Sequence, residues 1–167
     1  MDSILTAIDN SISGYNRKSL LSRFNSGERI TPDSLFIEIY RRGHQLYQET
    51  EGIIDVASGP LFDLWGFGFK SGEKPDDQTV SSTRNICGMH RLNEDMRSVI
   101  GTDNMIIGAD LLKTAGQEAP VLNYNAIAQG YSCDLVAEYL YSIGVKDMLV
   151  DIGEIFCDGV NPSGQPW

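Results

Sequence analysis

Residues 52–61 read Gly-Ile-Ile-Asp-Val-Ala-Ser-Gly-Pro-Leu, and residues 64–68 continue with Leu-Trp-Gly-Phe-Gly. Glycines and prolines alternate here with large apolar side chains, and Gly72 and Pro75 extend the pattern. An apolar segment of this kind must fold against something, because exposed apolar surface is prone to association. It forms either a plug over the core or the wall of a ligand pocket, where glycine allows close backbone approach.

The composition narrows the class of protein. The chain has 167 residues, 41% of them hydrophobic, a net charge of −10 and a pI of about 4.5. These values are typical of a globular domain with a real core. A broad nucleic-acid interface needs clustered Lys and Arg, so we expect no nucleic-acid partner. No apolar run is long enough for a transmembrane segment, and the three scattered cysteines form no zinc pattern with the two histidines.

Three segments have the periodicity of amphipathic helices. They are residues 3–12, the stretch from Thr31-Pro32-Asp33 to Gly52, and residues 126–143. In the second helix, Thr31 provides a hydroxyl cap before a proline in the first turn. Its expected buried stripe consists of Leu35, Ile39, Leu46 and Tyr47.

Short apolar runs predict β-structure in two places. Residues 97–100 and 104–107 flank Gly101-Thr102-Asp103 and predict a hairpin. Residues 145–152 predict a buried strand, and residues 154–157 either continue it or form its hairpin partner. Together with the helices, these runs predict an α+β domain.

Four segments resemble, in order, the motifs of one family. They are Tyr15 with Ser-Leu-Leu-Ser-Arg-Phe-Asn at 19–25, the block at 52–68, Asn-Tyr-Asn-Ala-Ile-Ala-Gln-Gly-Tyr at 123–131 with Asp134, and Asp-Ile-Gly-Glu at 151–154. The chain resembles the ApbE-type FAD:protein FMN transferases. The resemblance implies an α+β fold with helices packed on mainly antiparallel sheet. It also implies that residues 1–167 are the N-terminal and central part of a single such domain, incomplete at the C-terminus.

The same resemblance implies a reaction. FMN moves from FAD to a Ser or Thr hydroxyl of an acceptor redox protein, with Mg²⁺ as cofactor and AMP as the other product. We expect the chain alone to be inactive, because the remaining metal ligands of the family lie beyond residue 167. It further implies a periplasmic protein or a membrane-anchored lipoprotein, although this chain carries no export signal.

The resemblance also assigns roles to individual residues. It implies FAD contacts for Tyr15, Ile53, Ile54, Asp55, Asn123 and Gln129, and a Mg²⁺ ligand in the backbone carbonyl of Ala126. Three of them have a plain alternative: Tyr15 as a ring packed at a helix end, Asp55 as a turn residue, and Ala126 as a small residue at a helix start.

This chain departs from the family at two of these positions. It has Asn123 and Gln129 where the family typically has Asp and Lys. An Asn still hydrogen-bonds, but a Gln does not neutralise a phosphate as Lys does. Two other functions therefore stay open: an FAD-binding protein or FAD pyrophosphatase without transferase activity, and a structural domain whose Gly/Trp block belongs to the core.

Overall fold

A computed structural model describes residues 2–67, 74–99, 102–109 and 120–167. Its helices are α1 (Asp2–Ile12), α2 (Leu20–Asn25), α3 (Ser34–Glu49), α4 (Gly59–Leu64), α5 (Asp77–Arg84) and α6 (Ala128–Ser142). Its strands are β1 (Leu92–Val99), β2 (Thr102–Ala109), β3 (Met148–Asp151) and β4 (Ile155–Asp158). The strands form two antiparallel pairs, β1 with β2 and β3 with β4, so the α+β prediction is confirmed.

The chain divides into two compact units. The central unit comprises residues 10–124, and the terminal unit comprises residues 1–9 with 125–167. None of the helices in the described ranges is both long and apolar enough to cross a membrane. Gly68, Gly72, Ile100 and Gly101, which belong to the sequence predictions above, lie outside the described residues.

Helix α3 begins two residues later than its sequence suggested. The N-cap is Asp33 and not Thr31, because the Asp33 carboxylate accepts the Phe36 N–H at 2.9 Å. The same carboxylate oxygen accepts the Ser11 hydroxyl at 2.7 Å. A carboxylate at the N-cap satisfies a helix donor and also favours the positive end of the helix dipole.

The buried stripe of α3 is also rotated from the predicted one. Its buried residues are Phe36, Ile39, Tyr40 and Gly43, whereas Leu35, Leu46 and Tyr47 are only half-buried. Gly43 explains the rotation, since a Cβ there would lie 2.8 Å from a methyl group of Val56. Sequence periodicity counts apolar side chains. It therefore overlooks a glycine that is buried because a neighbouring side chain packs against its backbone.

The segment 121–123 pairs with the loop at 56–59 in the central unit. The Asn123 N–H donates to the Val56 carbonyl at 2.7 Å, and the Gly59 N–H donates to the Val121 carbonyl at 3.0 Å. The Asn25 side chain is a third partner in this pairing. Its Nδ2 donates to the Leu122 carbonyl and its Oδ1 accepts the Leu122 N–H, each at 2.9 Å.

In the terminal unit, α6 packs on the β3–β4 hairpin. The core of this unit consists of Cys133, Val136, Ala137, Met148 and Val150. Alternate residues of β3 are buried and exposed, as expected for a strand with one covered face. Residues 155–158 are thus the hairpin partner of β3 and not its continuation.

The β1–β2 hairpin confirms the hairpin predicted from residues 97–100 and 104–107, but its turn is shifted. Val99 pairs with Thr102, so Thr102 and Asp103 belong to β2 and not to the turn. Helices α2, α4 and α5 were not predicted. Each is short, between 6 and 8 residues, and too brief to establish a period.

Tyr124 provides a test of this packing. Its ring lies edge-on to Phe36, with centroids 6.1 Å apart, and burial raises the pKa of its phenol. Among the described residues, no group hydrogen-bonds the buried hydroxyl. Because such a group costs about 1–3 kcal/mol, we expect Tyr124→Phe to raise the free energy of unfolding in urea by about 1 kcal/mol.

Tyr139→Phe is the matched control, because the Tyr139 side chain is exposed. Its free energy of unfolding should change by less than about 0.5 kcal/mol. A clear loss of stability in Tyr124→Phe, with no loss in the control, would mean that the Tyr124 hydroxyl is bonded.

Candidate functional site

The loop after α3 presents two of the predicted residues outward. Thr50 anchors it, because its carbonyl accepts the Ile53 N–H at 3.1 Å and its hydroxyl oxygen accepts the Ile54 N–H at 3.0 Å. The Ile53 side chain is 87% exposed and that of Ile54 is 40% exposed. Backbone bonds therefore fix the loop while its apolar side chains face solvent, where they are available to a ligand.

Asp55 is tied to the backbone through both carboxylate oxygens. Oδ1 accepts the Ala57 N–H at 2.8 Å, and Oδ2 accepts the Met89 N–H at 3.2 Å. This geometry matches the alternative in which Asp55 is a turn residue. The bond from Met89 also links the turn to a residue 34 positions further along the chain. Each oxygen keeps a second lone pair, so the turn role leaves room for a further contact.

The Asp55 carboxylate also affects a neighbouring thiol. Burial is the main cause that raises the pKa of Cys87, and the negative charge of Asp55 raises it further. A thiol with a raised pKa is a weak nucleophile at neutral pH. Cys87 is therefore a packing residue and not a candidate for covalent chemistry.

The glycine-rich block divides into a buried and an exposed half. Val56, Ala57 and Gly59 are buried, whereas Trp65 is 46% exposed and Phe67 is 75% exposed. The plug interpretation is therefore wrong for the aromatic half. Gly59 must be glycine, because a Cβ there would lie 2.7 Å from the Val121 carbonyl oxygen.

Asn123 lies next to this block. Its N–H is bonded to the Val56 carbonyl, which places it directly beside the turn that contains Asp55. The residue is half-buried. Ile53, Ile54, Asp55 and Asn123 are thus brought together by local backbone bonds within the central unit.

Tyr15 occupies a separate loop after α1. The Ser13 side-chain oxygen accepts the N–H groups of Tyr15 and Asn16, each at 3.2 Å, which fixes the loop backbone. The Tyr15 side chain is 76% exposed. Most of the Tyr15 side chain is therefore exposed and not buried at a helix end.

Ala126 lies in the exposed turn before α6, and not in the helix as expected. The first helical backbone bond is donated by Tyr131 to the Ile127 carbonyl at 3.0 Å. The Ala126 carbonyl therefore falls outside the helical ladder, and no described residue donates to it. A backbone carbonyl outside the helical ladder is a hard oxygen ligand of the kind that Mg²⁺ accepts.

The start of α6 has no side-chain cap. Ile127 occupies the N-cap and forms no capping bond, and the first turn contains no acidic residue. The first N–H groups of a helix lack intrahelical partners and favour anions. Gln129, in this first turn, is exposed, and its amide lies against Gly153 of the β3–β4 turn.

The side chains that the structure describes do not form a metal cluster by themselves. Among the described residues, no three His, Cys, Asp or Glu side chains converge on one point. Mg²⁺ usually keeps several waters and binds substrate phosphates alongside few protein ligands. The Ala126 carbonyl thus fits as one ligand of a site completed by other oxygens.

The comparisons with known proteins identify a family. The ApbE family matches residues 1–167. The FAD:protein FMN transferase of Vibrio cholerae is 32% identical over 175 residues, which cover 100% of this chain and 48% of that protein.

Solved structures give the same result. The flavin transferase ApbE from Vibrio cholerae matches with a TM-score of 0.80 and 31% identity, over 99% of this chain and 51% of that one. The apo flavinyl transferase ApbE of Pseudomonas stutzeri matches with a TM-score of 0.79 and 31% identity, again over 99% of this chain and 50% of that one. This chain thus spans about half the length of the proteins that it matches.

Asp55 can be tested as a structural acceptor. Asp55→Ala leaves the Ala57 and Met89 N–H groups without their acceptor, so we expect the free energy of unfolding to fall by about 2 kcal/mol. Asp55→Asn keeps one acceptor oxygen and should cost about half as much. Asp63→Asn is the control, because the Asp63 carboxylate bonds no described residue. Equal urea midpoints for all three variants would contradict the turn role.

Proposed function

Because the chain belongs to the ApbE family, we propose that it serves in the Mg²⁺-dependent transfer of FMN from FAD to a Ser or Thr hydroxyl of an acceptor redox protein. The observation that carries the proposal is the family match along the whole chain, with relatives named FAD:protein FMN transferase. In the reaction, the pyrophosphate P–O bond on the FMN side breaks and a new P–O bond forms to the acceptor oxygen. AMP leaves with the bridging oxygen, and the hydroxyl proton is released.

The central unit contains most of the proposed FAD contacts. Ile53, Ile54 and Tyr15 present exposed apolar surface from loops that backbone bonds fix. Apolar and aromatic walls with a few placed polar groups are typical of cofactor sites. Asn123 provides such a polar group, and Asp55 has unused lone pairs.

The terminal unit contains the proposed Mg²⁺ ligand. The Ala126 carbonyl would be one ligand of Mg²⁺, and the uncapped N–H groups at the start of α6 would face phosphate oxygens, as helix N-termini commonly do. When bound, Mg²⁺ would neutralise the developing negative charge. The chain's own groups bind and orient the diphosphate for attack by the acceptor hydroxyl.

Charge in this unit supports a strict requirement for the cation. Lys146 is the single Lys or Arg of residues 1–9 and 125–167, and it follows the C-terminal end of α6. Gln129, at the N-terminal end, has no charge. The diphosphate would therefore meet backbone dipoles in the terminal unit but no cationic side chain at the start of α6.

A second function has support from the same residues. Asn123 and Gln129 are uncharged where the family typically has Asp and Lys. A site with weaker charge control could bind FAD without transferring FMN, or hydrolyse it to FMN and AMP. An FAD-binding protein or an FAD pyrophosphatase is thus the alternative.

The proposal extends to domain and location by family resemblance alone. We place residues 1–167 within a single ApbE-like domain, and we place that domain in the periplasm or on a membrane-anchored lipoprotein. Since the chain spans about half the length of its relatives, we expect turnover from the complete reading frame and none from the 167-residue chain.

The test is release of AMP from FAD by the protein of the complete reading frame, with the 167-residue chain assayed alongside. We expect AMP with Mg²⁺, none after EDTA, and none from the chain alone. Covalent flavin on a Ser- or Thr-bearing acceptor, seen by in-gel fluorescence, separates transfer from hydrolysis.

Two outcomes would contradict the proposal. Saturable FAD binding without AMP under any metal condition would favour the binding protein. If FAD also fails to raise the thermal unfolding midpoint, no flavin function survives, because a ligand of the native state must stabilise it by mass action.

A further inference from the structure

Gln129 and Gly153 form a contact between the first turn of α6 and the turn that joins β3 to β4. A Cβ built on Gly153 would lie 2.7 Å from Nε2 of Gln129 and 3.3 Å from its Cδ. The amide therefore occupies the space that any other residue at position 153 would fill. Both residues belong to the terminal unit.

The β3–β4 turn is held rigidly on its own side of this contact. The Gly153 N–H donates to the Asp151 carboxylate at 3.0 Å, and the Ile152 N–H donates to the Glu154 carbonyl at 3.0 Å. The Glu154 carbonyl also accepts the Cys133 thiol at 3.0 Å. The turn is thus fixed in shape and joined to α6 by the bond from Cys133.

Gln129 and Cys133 are four residues apart, so they lie one above the other on the same face of α6. Cys133 is buried and bonds the turn, whereas Gln129 is exposed and rests on it. The bond between Cys133 and Glu154 therefore sets the distance between α6 and the β3–β4 turn. The glycine at position 153 leaves the space in which the Gln129 amide lies.

We propose that Gly153 is a positioning residue: it holds the Gln129 amide at the start of α6, where FAD is proposed to bind. The inference rests on the proposed function, together with the FAD contact that the family resemblance implies for Gln129. A Cβ at position 153 would push the amide aside. Because the amide is the far end of an exposed, flexible side chain, moving it costs little stability but changes what it can reach.

A substitution at Gly153 has two separable effects, which are backbone strain and displacement of the Gln129 amide. Its φ of +92° is in the left-handed region, so Gly153→Ala carries a backbone strain of about 1–2 kcal/mol. Gly144→Ala is the matched control: its φ is +88°, and nothing lies within 4 Å of the added Cβ. The two variants share the strain, but only the first displaces Gln129.

The experiment measures FAD affinity with Mg²⁺ by flavin fluorescence, in the protein of the complete reading frame. We expect Gly153→Ala to weaken FAD binding about three- to tenfold, as for one lost hydrogen bond. Gly144→Ala should lose similar stability but bind FAD as the wild type does. In a Gln129→Ala background, Gly153→Ala should have no further effect on affinity.

A second readout does not depend on FAD. With ¹⁵N-glutamine labelling, the side-chain amide signal that disappears in Gln129→Ala should shift in Gly153→Ala and stay in place in Gly144→Ala. An unmoved signal, or a loss of affinity that persists without Gln129, would overturn the positioning role. If the signal shifts but the wild type binds no FAD, the contact holds and the flavin proposal fails.

Discussion

The central unit depends on backbone pairing between two segments that lie far apart in sequence. Residues 56–59 and 121–123 exchange hydrogen bonds, and the Asn25 side chain completes the pairing from a third segment, 97 positions away from its partner. Each bond contributes only about 0.5–1.5 kcal/mol net, but a buried backbone group left without a partner costs about 1–3 kcal/mol. The pairing also determines the proposed site, because it places Asn123 beside the turn of Asp55. Asn25 therefore acts on the site through the backbone, without a ligand role of its own.

The terminal unit shows how a helix can begin without a cap. α6 buries Cys133, Val136 and Ala137 against the β3–β4 hairpin, and in proteins most helical stability comes from packing of this kind. A cap contributes about 1 kcal/mol, which the packed face replaces. α2, α3 and α5, by contrast, each have a side-chain cap. The uncapped start of α6 is therefore the one among these four that leaves its first N–H groups open to a ligand.

The sequence predicted the long amphipathic helices and the β1–β2 hairpin, because these patterns extend over enough residues to be recognised; the β3–β4 hairpin was one of two alternatives for residues 154–157. It missed features that depend on a single contact between residues distant in the sequence. Gly43 contributes to the buried stripe of α3 by lacking a side chain, and the cap at Asp33 is shared with Ser11. For the candidate site, motif order singled out the segments, but it could not reveal that Asp55 accepts two backbone N–H groups. Nor could it reveal the contact of Gln129 with Gly153, since neither residue has a pattern that points to the other.

This architecture is compatible with the two uncharged residues, Asn123 and Gln129. Asn123 is held in place by its backbone N–H, and Gln129 rests on a glycine, so neither position needs a charged side chain for the fold. In the proposed reaction, with Lys146 as the single Lys or Arg of the terminal unit, backbone dipoles and the cation would neutralise the phosphate charge that meets this unit. Because Mg²⁺ requires near-octahedral oxygen ligands, the orientation of the Ala126 carbonyl would then matter more than the Ala126 side chain.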